Sequence, residues 1–150
     1  MRGMSFLVPN QYDSVLAKIL EGILLEDYIW KIDEDEILLS RNGDFKDLFE
    51  THILKGQEFR KTVDTNSYLV IFANIQGYFS LENHKDLETY QDFLNSTCQI
   101  VILICDTIYV EIYAKDRKII EKIKFNAEYY GFEEVEYITD ENDGRTSLHF

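Results

Sequence analysis

Apolar and polar positions along the chain recur with the periods of strands and of helices, and these periods divide it into elements. Apolar residues stand at every second position in "DYIWKID", as is typical of half-buried strands. "SYLVIF" and "QIVILIC" are apolar on both faces, which predicts strands that are covered on both sides. Spacings of three and four residues predict helices near 12–23, 87–94 and 117–130. The last helix is the clearest, because Asp116 can cap its start and Gly131 follows its end.

The segments between these elements are less regular. Acidic "DEDE", Asp33 to Glu36, is interpreted as the turn between the strand "DYIWKID" and a returning strand "EILLS". After it, either Asp44 caps a short helix or Asn42-Gly43 forms a hairpin turn, and Asp47 in the first turn favours the helix. The segment 56–65 fits either a short helix or a loop.

The resulting order is β-α-β-β-α followed by β-α-β-β-α-β, which predicts an α+β fold with a largely antiparallel sheet and packed helices. The second half has ferredoxin-like connectivity, in which the strand 99–105 lies at the sheet edge. Because an edge strand with two apolar faces promotes aggregation, we expect the N-terminal half to cover or extend it, or a homodimer contact through 99–105. The chain of 150 residues fits a single domain, 1–150, with subdomains 1–65 and 66–150 as the alternative.

Charge narrows the class of partner. The chain carries 15 basic and 28 acidic residues, a net charge of −13. Such a chain repels nucleic acid and anionic membranes, so we expect neither, and a basic protein is the expected partner. Two cysteines, without a signal peptide or an apolar run of about 20 residues, predict a cytoplasmic location.

Motifs of known chemistry do not occur. The sequence has no glycine-rich phosphate loop and no nucleophile elbow, and His52, His84 and His149 lack the spacing of metal ligands. "DEDE" and "DENDG" do not fit a calcium loop. We therefore predict no catalytic residue, no metal and no cofactor, and enzyme activity stays open with its absence favoured.

The strand "IYVEIYA" carries the most suggestive side chains. Tyr109, Glu111 and Tyr113 share one side of it, and tyrosine gives large contact area at low entropic cost. A carboxylate between two tyrosines suits a lysine or arginine of a partner, although an ordinary sheet face also favours tyrosine. The acidic run next to the strand "DYIWKID" completes the predicted partner-binding set, which is Asp33, Glu34, Asp35, Glu36, Tyr109, Glu111 and Tyr113.

The N-terminal "RGMSFLVPN", the amphipathic helix that follows and "YIWKIDEDEI" resemble a bacterial family of domains of unknown function. Members of that family are small acidic cytoplasmic proteins of about 150 residues. The resemblance covers most of the chain and lies in its pattern of strands and helices. It implies a single-domain bacterial protein and carries no activity and no functional residue.

These observations favour a non-enzymatic protein-binding module, immunity- or antitoxin-like, that blocks a basic partner such as a nuclease toxin. The alternative is a small-molecule binder or an enzyme with a cleft between the two halves. A deep apolar pocket with a few convergent polar groups would favour that alternative.

Overall fold

The structure, a computed structural model, describes residues 1–39 and 46–150. Its strands are β1 Gly3–Leu7, β2 Ile29–Leu39, β3 Ile53–Lys55, β4 Tyr68–Tyr78, β5 Cys98–Cys105, β6 Tyr109–Ala114 and β7 Glu133–Ile138. Its helices are α1 Val15–Ile19, α2 Gly56–Thr65, α3 Tyr90–Asn95 and α4 Arg117–Tyr129, with a 3₁₀ turn at Leu25–Asp27. These strands form one antiparallel sheet in the order β3-β2-β4-β5-β6-β1-β7. The predicted α+β class with a largely antiparallel sheet is confirmed.

The strand order differs from that of the predicted ferredoxin-like unit. β4, β5 and β6 form an antiparallel meander, and β5 lies in the middle of the sheet. The connection between β4 and β5, which contains the six-residue α3, returns the chain to the neighbouring antiparallel position and does not cross the sheet to a parallel strand. Both edges of β5 are therefore paired within the chain, and the edge expected to hold a homodimer contact through 99–105 is occupied.

Strands from both halves of the chain share this sheet. β1 lies between β6 and β7, and it pairs antiparallel with each of them. On the other side, β2 pairs with β4, and β3 adds to the start of β2. The segments 1–65 and 66–150, predicted as alternative subdomains, are therefore interleaved in one sheet.

One face of the sheet, the helical face, is covered by α1, α2 and α4 and forms the larger apolar core. Trp30 of β2 is fully buried there, stacks on Phe59 of α2 at 4.2 Å between ring centroids, and donates its indole N–H to the Leu25 carbonyl at 3.0 Å. Trp30 is thus a core residue, as its position in an alternating strand predicts. The apolar positions 100, 102 and 104 of β5 point to the same face.

The opposite face, the tail face, is covered by α3 and by residues of the C-terminal segment 139–150. Val101 and Leu103 of β5 are buried here against a second apolar cluster that includes Phe93 and Leu148. The cover of this face comes from the second half of the chain. The N-terminal half, which we expected to extend or cover the sheet, adds β1 and β2 to it and covers the helical face with α1 and α2. The N-terminal helices pack on the helical face, so they are not available to the tail face.

Several predicted elements change in length. α1 is shorter than predicted, and the chain turns at Gly22, which has a φ of +77° that glycine adopts readily. α4 begins after Asp116 and is followed by Gly131, as predicted. The segment 56–65 is a helix, and β3 before it was not predicted. The capping by Asp44 and the alternative turn at Asn42-Gly43 fall at residues 40–45, outside the described residues.

Candidate functional site

The structure separates the three side chains that the sequence placed on one partner-binding face. Tyr113 is fully buried, and its hydroxyl donates to both carboxylate oxygens of Asp143 at 3.0 and 3.1 Å. Burial, and then the charge of Asp143, raises the pKa of Tyr113. Tyr109 at the other end of β6 is 52% exposed. Tyr113 is therefore a core residue, and the surface keeps Tyr109 and, between the two, a half-buried Glu111.

Asp143 fixes the C-terminal segment to the sheet. Only 3% of its side chain is exposed, and it accepts hydrogen bonds from Arg2 at 3.0 Å and from the backbone N–H of Arg145 at 3.1 Å, besides the bond from Tyr113. Arg2 also bonds Asp140 at 2.8 Å, and its guanidinium lies 4.1 Å from the ring centroid of Tyr90. These contacts hold residues 140–145 against β1 and β6.

A groove of about 280 Å³ opens beside this anchor, on the tail face of β6, β1 and β7, with residues 142–144 as one wall. Three glutamates line it together with Tyr109 and Leu7, namely Glu111, Glu134 and Glu136. Ser5 of β1 is directly opposite Glu111 on one side and Glu136 on the other. Since neighbouring strands lie about 4.8 Å apart, these two glutamate backbones are separated by about 10 Å. We call this feature the acidic groove.

A β-bulge positions the third glutamate. The register between β1 and β7 shifts between Ser5 and Leu7, and Glu134 has a φ of +52°, a backbone conformation that non-glycine residues rarely adopt. Bulges of this kind redirect side chains at the margins of sheets. Here the bulge lies in the strand that ends the sheet, and both Glu134 and Glu136 line the groove.

A basic side chain of the protein itself already meets this groove. Arg145 binds Glu111 through Nη2 at 3.0 Å and through Nε at 3.5 Å, and its Nη1 donates to the Ser147 carbonyl at 3.2 Å. The contact approaches the two-pronged geometry that guanidinium and carboxylate groups favour. The site can therefore accept a guanidinium, and it does so within the chain.

The predicted acidic run Asp33–Glu36 is not a turn, and this prediction is wrong. It lies inside β2, where Glu34, Asp35 and Glu36 pair with residues of β4. β4 is itself 11 residues long and pairs with every residue of β2 except Asp33. Register shifts on both sides of the run interrupt the alternation that would otherwise have marked it as strand.

Asp33–Glu36 lie away from the acidic groove. Glu34 and Glu36 are exposed, and Asp33 lies 3.5 Å from the Lys31 ammonium and accepts from Asn74 at 3.4 Å. Since β4 and β5 separate β2 from β6, the acidic run is about 14 Å from the strand of Tyr109 and Glu111. The structure brings Tyr109 and Glu111 together with β7, and it keeps the residues of β2 apart from them.

Sequence reasoning missed Glu134, Glu136 and Arg145. The alternation in "FEEVEYIT" does place the first two on one side of a strand, opposite Val135 and Tyr137. The alternation gives no sign, however, that β1 inserts between β6 and β7. That insertion places the glutamates of β7 in one groove with Glu111.

Two further properties concern only residues 1–39 and 46–150. Within them, no three histidine, cysteine, aspartate or glutamate side chains are arranged to hold a metal ion. None of the helices in the same residues has both the length and the apolar character that crossing a membrane requires.

Comparison with known proteins places the chain in a family. A family described as "Protein of unknown function (DUF2691)" matches residues 1–149. "Uncharacterized protein YncE" of Bacillus subtilis (strain 168) is 39% identical over 149 residues, which covers 98% of this chain and 97% of the relative. No solved structure matches the chain. The chain therefore belongs to the DUF2691 family, a bacterial family of about 150-residue domains.

Proposed function

We propose that the protein is a protein-binding module that holds a lysine- or arginine-bearing segment of a basic partner in the acidic groove. The observation that carries the proposal is the convergence of Glu111, Glu134 and Glu136 with the exposed ring of Tyr109 in one concave site. Carboxylates form charge-assisted hydrogen bonds with guanidinium and ammonium groups. Tyrosine adds contact area for the aliphatic part of the partner's side chain, as at many protein interfaces.

The rest of the acidic surface has a different part in this proposal. With a net charge of −13, the protein attracts a basic partner over distances longer than a hydrogen bond, which raises the association rate. Glu34 and Glu36 contribute to that attraction from β2 without contacting the segment in the groove. In its immunity- or antitoxin-like form, the proposal adds that the basic partner is a toxin whose activity is blocked by the bound protein.

The small-molecule alternative has less support from the groove itself. Pockets for small ligands are mostly apolar and enclose about 300–1,000 Å³. The acidic groove has about 280 Å³, is partly open to solvent and is lined by several carboxylates. An extended basic segment fits such an open, charged site better than a compact substrate does.

The test compares two matched pairs of charge reversals in the full chain. One pair is Glu134→Lys with Glu136→Lys in the acidic groove, and the control is Glu34→Lys with Glu36→Lys in β2. Each pair raises the net charge by the same amount. The probe is a fluorescent oligoarginine peptide, and its affinity is measured by fluorescence anisotropy at low and at physiological salt.

We expect the groove pair to weaken peptide binding about tenfold or more, which corresponds to the loss of one good charge contact. The β2 pair should weaken it only about twofold, through the altered field, and this loss should disappear as salt is added. Equal losses for the two pairs at both salt concentrations would contradict the proposal, because binding would then depend on net charge alone.

A further inference from the structure

The contact between Arg145 and Glu111 has the chemistry that the proposed function assigns to a partner. In the free protein a guanidinium of the C-terminal segment lies on one of the three groove glutamates, with its Nη2 3.0 Å from a carboxylate oxygen. The two side chains are 19% and 33% exposed, so solvent reaches the pair. Arg145 thus stands where an arginine of a bound segment would stand.

The C-terminal segment is attached to the sheet by other groups. Asp143, two residues earlier, is held by Arg2 and Tyr113. Leu148, three residues later, is buried on the tail face, with its N–H donating to the Glu88 carbonyl at 2.8 Å and its carbonyl accepting from Asn74 at 3.1 Å. The Arg145 side chain can therefore leave Glu111 without release of the segment that carries it.

The ion pair between Arg145 and Glu111 is weak enough for another basic group to replace Arg145. A partly exposed ion pair contributes little to folding stability, because solvent screens it and both side chains lose rotational freedom. An external segment with several basic side chains could form the same contact and also reach Glu134 and Glu136, which Arg145 alone does not contact. A partner with several basic side chains therefore has more to gain in the groove than a single cation does.

We propose that Arg145 is an autoinhibitory contact of the acidic groove. In the free protein it occupies Glu111, and a basic partner must displace it on binding. This inference rests on the proposed function of the groove, since it describes the regulation of that same site.

The experiment titrates the full chain with the oligoarginine peptide after Arg145→Ala. The matched control is Lys118→Ala, which removes one positive charge from α4 on the opposite, helical face. We expect Arg145→Ala to bind the peptide about two- to fivefold more tightly than Lys118→Ala does, the factor typical of a partly exposed ion pair. In the Arg145→Ala background, Glu111→Gln should remove the gain, whereas in the unaltered chain it should have a smaller effect.

Equal affinities for Arg145→Ala and Lys118→Ala would overturn the inference, and so would weaker binding by Arg145→Ala. Should Arg145→Ala unfold at a lower urea concentration than the unaltered chain, Arg145→Gln replaces it, since the longer polar side chain keeps packing but not charge. The result is separable from the proposed function. If the Glu134 and Glu136 reversals abolish binding while Arg145→Ala changes nothing, only the autoinhibition is wrong, whereas reversals without effect refute the groove itself.

Discussion

The two acidic regions of the chain, 33–36 in β2 and 133–143 at the other end of the sheet, have opposite electrostatic environments. In the first, burial and then the charge of Asp47 raise the pKa of Asp35. In the second, the Arg2 guanidinium lowers the pKa of Asp140, and Asp143 accepts three hydrogen bonds through its carboxylate. The run 33–36 is held by pairing with β4, whereas the carboxylates of 140–143 are themselves structural contacts.

A run of acidic residues in the sequence therefore does not by itself locate a binding site. "DEDE" is the densest acidic run of the chain, yet its exposed members point into solvent from one strand. The acidic groove takes its glutamates from β6 and β7, which are separated in sequence by α4 and are brought to one site because β1 pairs with both. Convergence on a concave surface, rather than density along the chain, is what makes several weak charges act on one ligand.

Among substitutions that compare the two acidic regions, Asp143→Ala should cause the largest change in unfolding free energy. Its carboxylate is almost fully buried, and its removal takes away the acceptor of the Tyr113 hydroxyl and one of the two carboxylates that bind Arg2. Breaking such a buried pair costs about 3 kcal/mol of unfolding free energy. Glu34→Ala, at an exposed position of β2, should change it by less than about 0.5 kcal/mol. Urea unfolding followed by circular dichroism measures both changes in unfolding free energy. If the two changes were similarly small, Asp143 would be no more important for stability than the solvated Glu34.

A second, smaller effect should separate the two tyrosines of β6. Tyr113→Phe removes only the hydroxyl that donates to Asp143, which costs about 1–2 kcal/mol because the acceptor is charged and buried. Tyr109→Phe, the same change at the exposed end of the strand, should be nearly neutral for stability. A neutral result at Tyr113 would mean that the C-terminal segment does not depend on this bond. The same urea titration decides it.

The two faces of the sheet differ in how well the sequence could predict them. The helical face was predictable, because α4 and the strands opposite it repeat apolar residues with clear periods and carry recognisable caps. The tail face was not, because its cover is a six-residue helix and the irregular segment 139–150, whose burial is decided by single contacts such as that of Leu148. Tyr109 and Glu111 were found by alternation, while Glu134 and Glu136 required the position of β1, which no local pattern encodes.

The pH dependence of the unfolding free energy should also differ between the two acidic regions, although the differences are smaller than those expected for Asp143→Ala and Tyr113→Phe. The pKa of Asp140 is lower in the folded protein than its ordinary value of 3.8, so the ionised form is favoured by folding. Its contribution is therefore present above that ordinary value and is lost as the pH falls through the lower, folded pKa. Asp140→Asn should be less stable than the unaltered chain near neutral pH and equally stable in strong acid. A constant difference across the range would show that the bond to Arg2 matters without its charge.

The smallest effect, and the one with the opposite sign, is expected at Asp35. Its pKa is raised above 3.8, so folding disfavours the ionised form and destabilisation is present at neutral pH. As the pH falls through the raised pKa, the carboxyl takes up a proton and this cost disappears. Asp35→Asn should thus be more stable than the unaltered chain at pH 7 by a few tenths of a kcal/mol, since solvent screens a half-exposed group. The gain should vanish in acid. The loss of stability caused by Asp140→Asn should vanish there too, so the two variants have effects of opposite sign at neutral pH and no effect in acid. If both variants shifted stability in the same direction, the two acidic regions would not differ in their electrostatics.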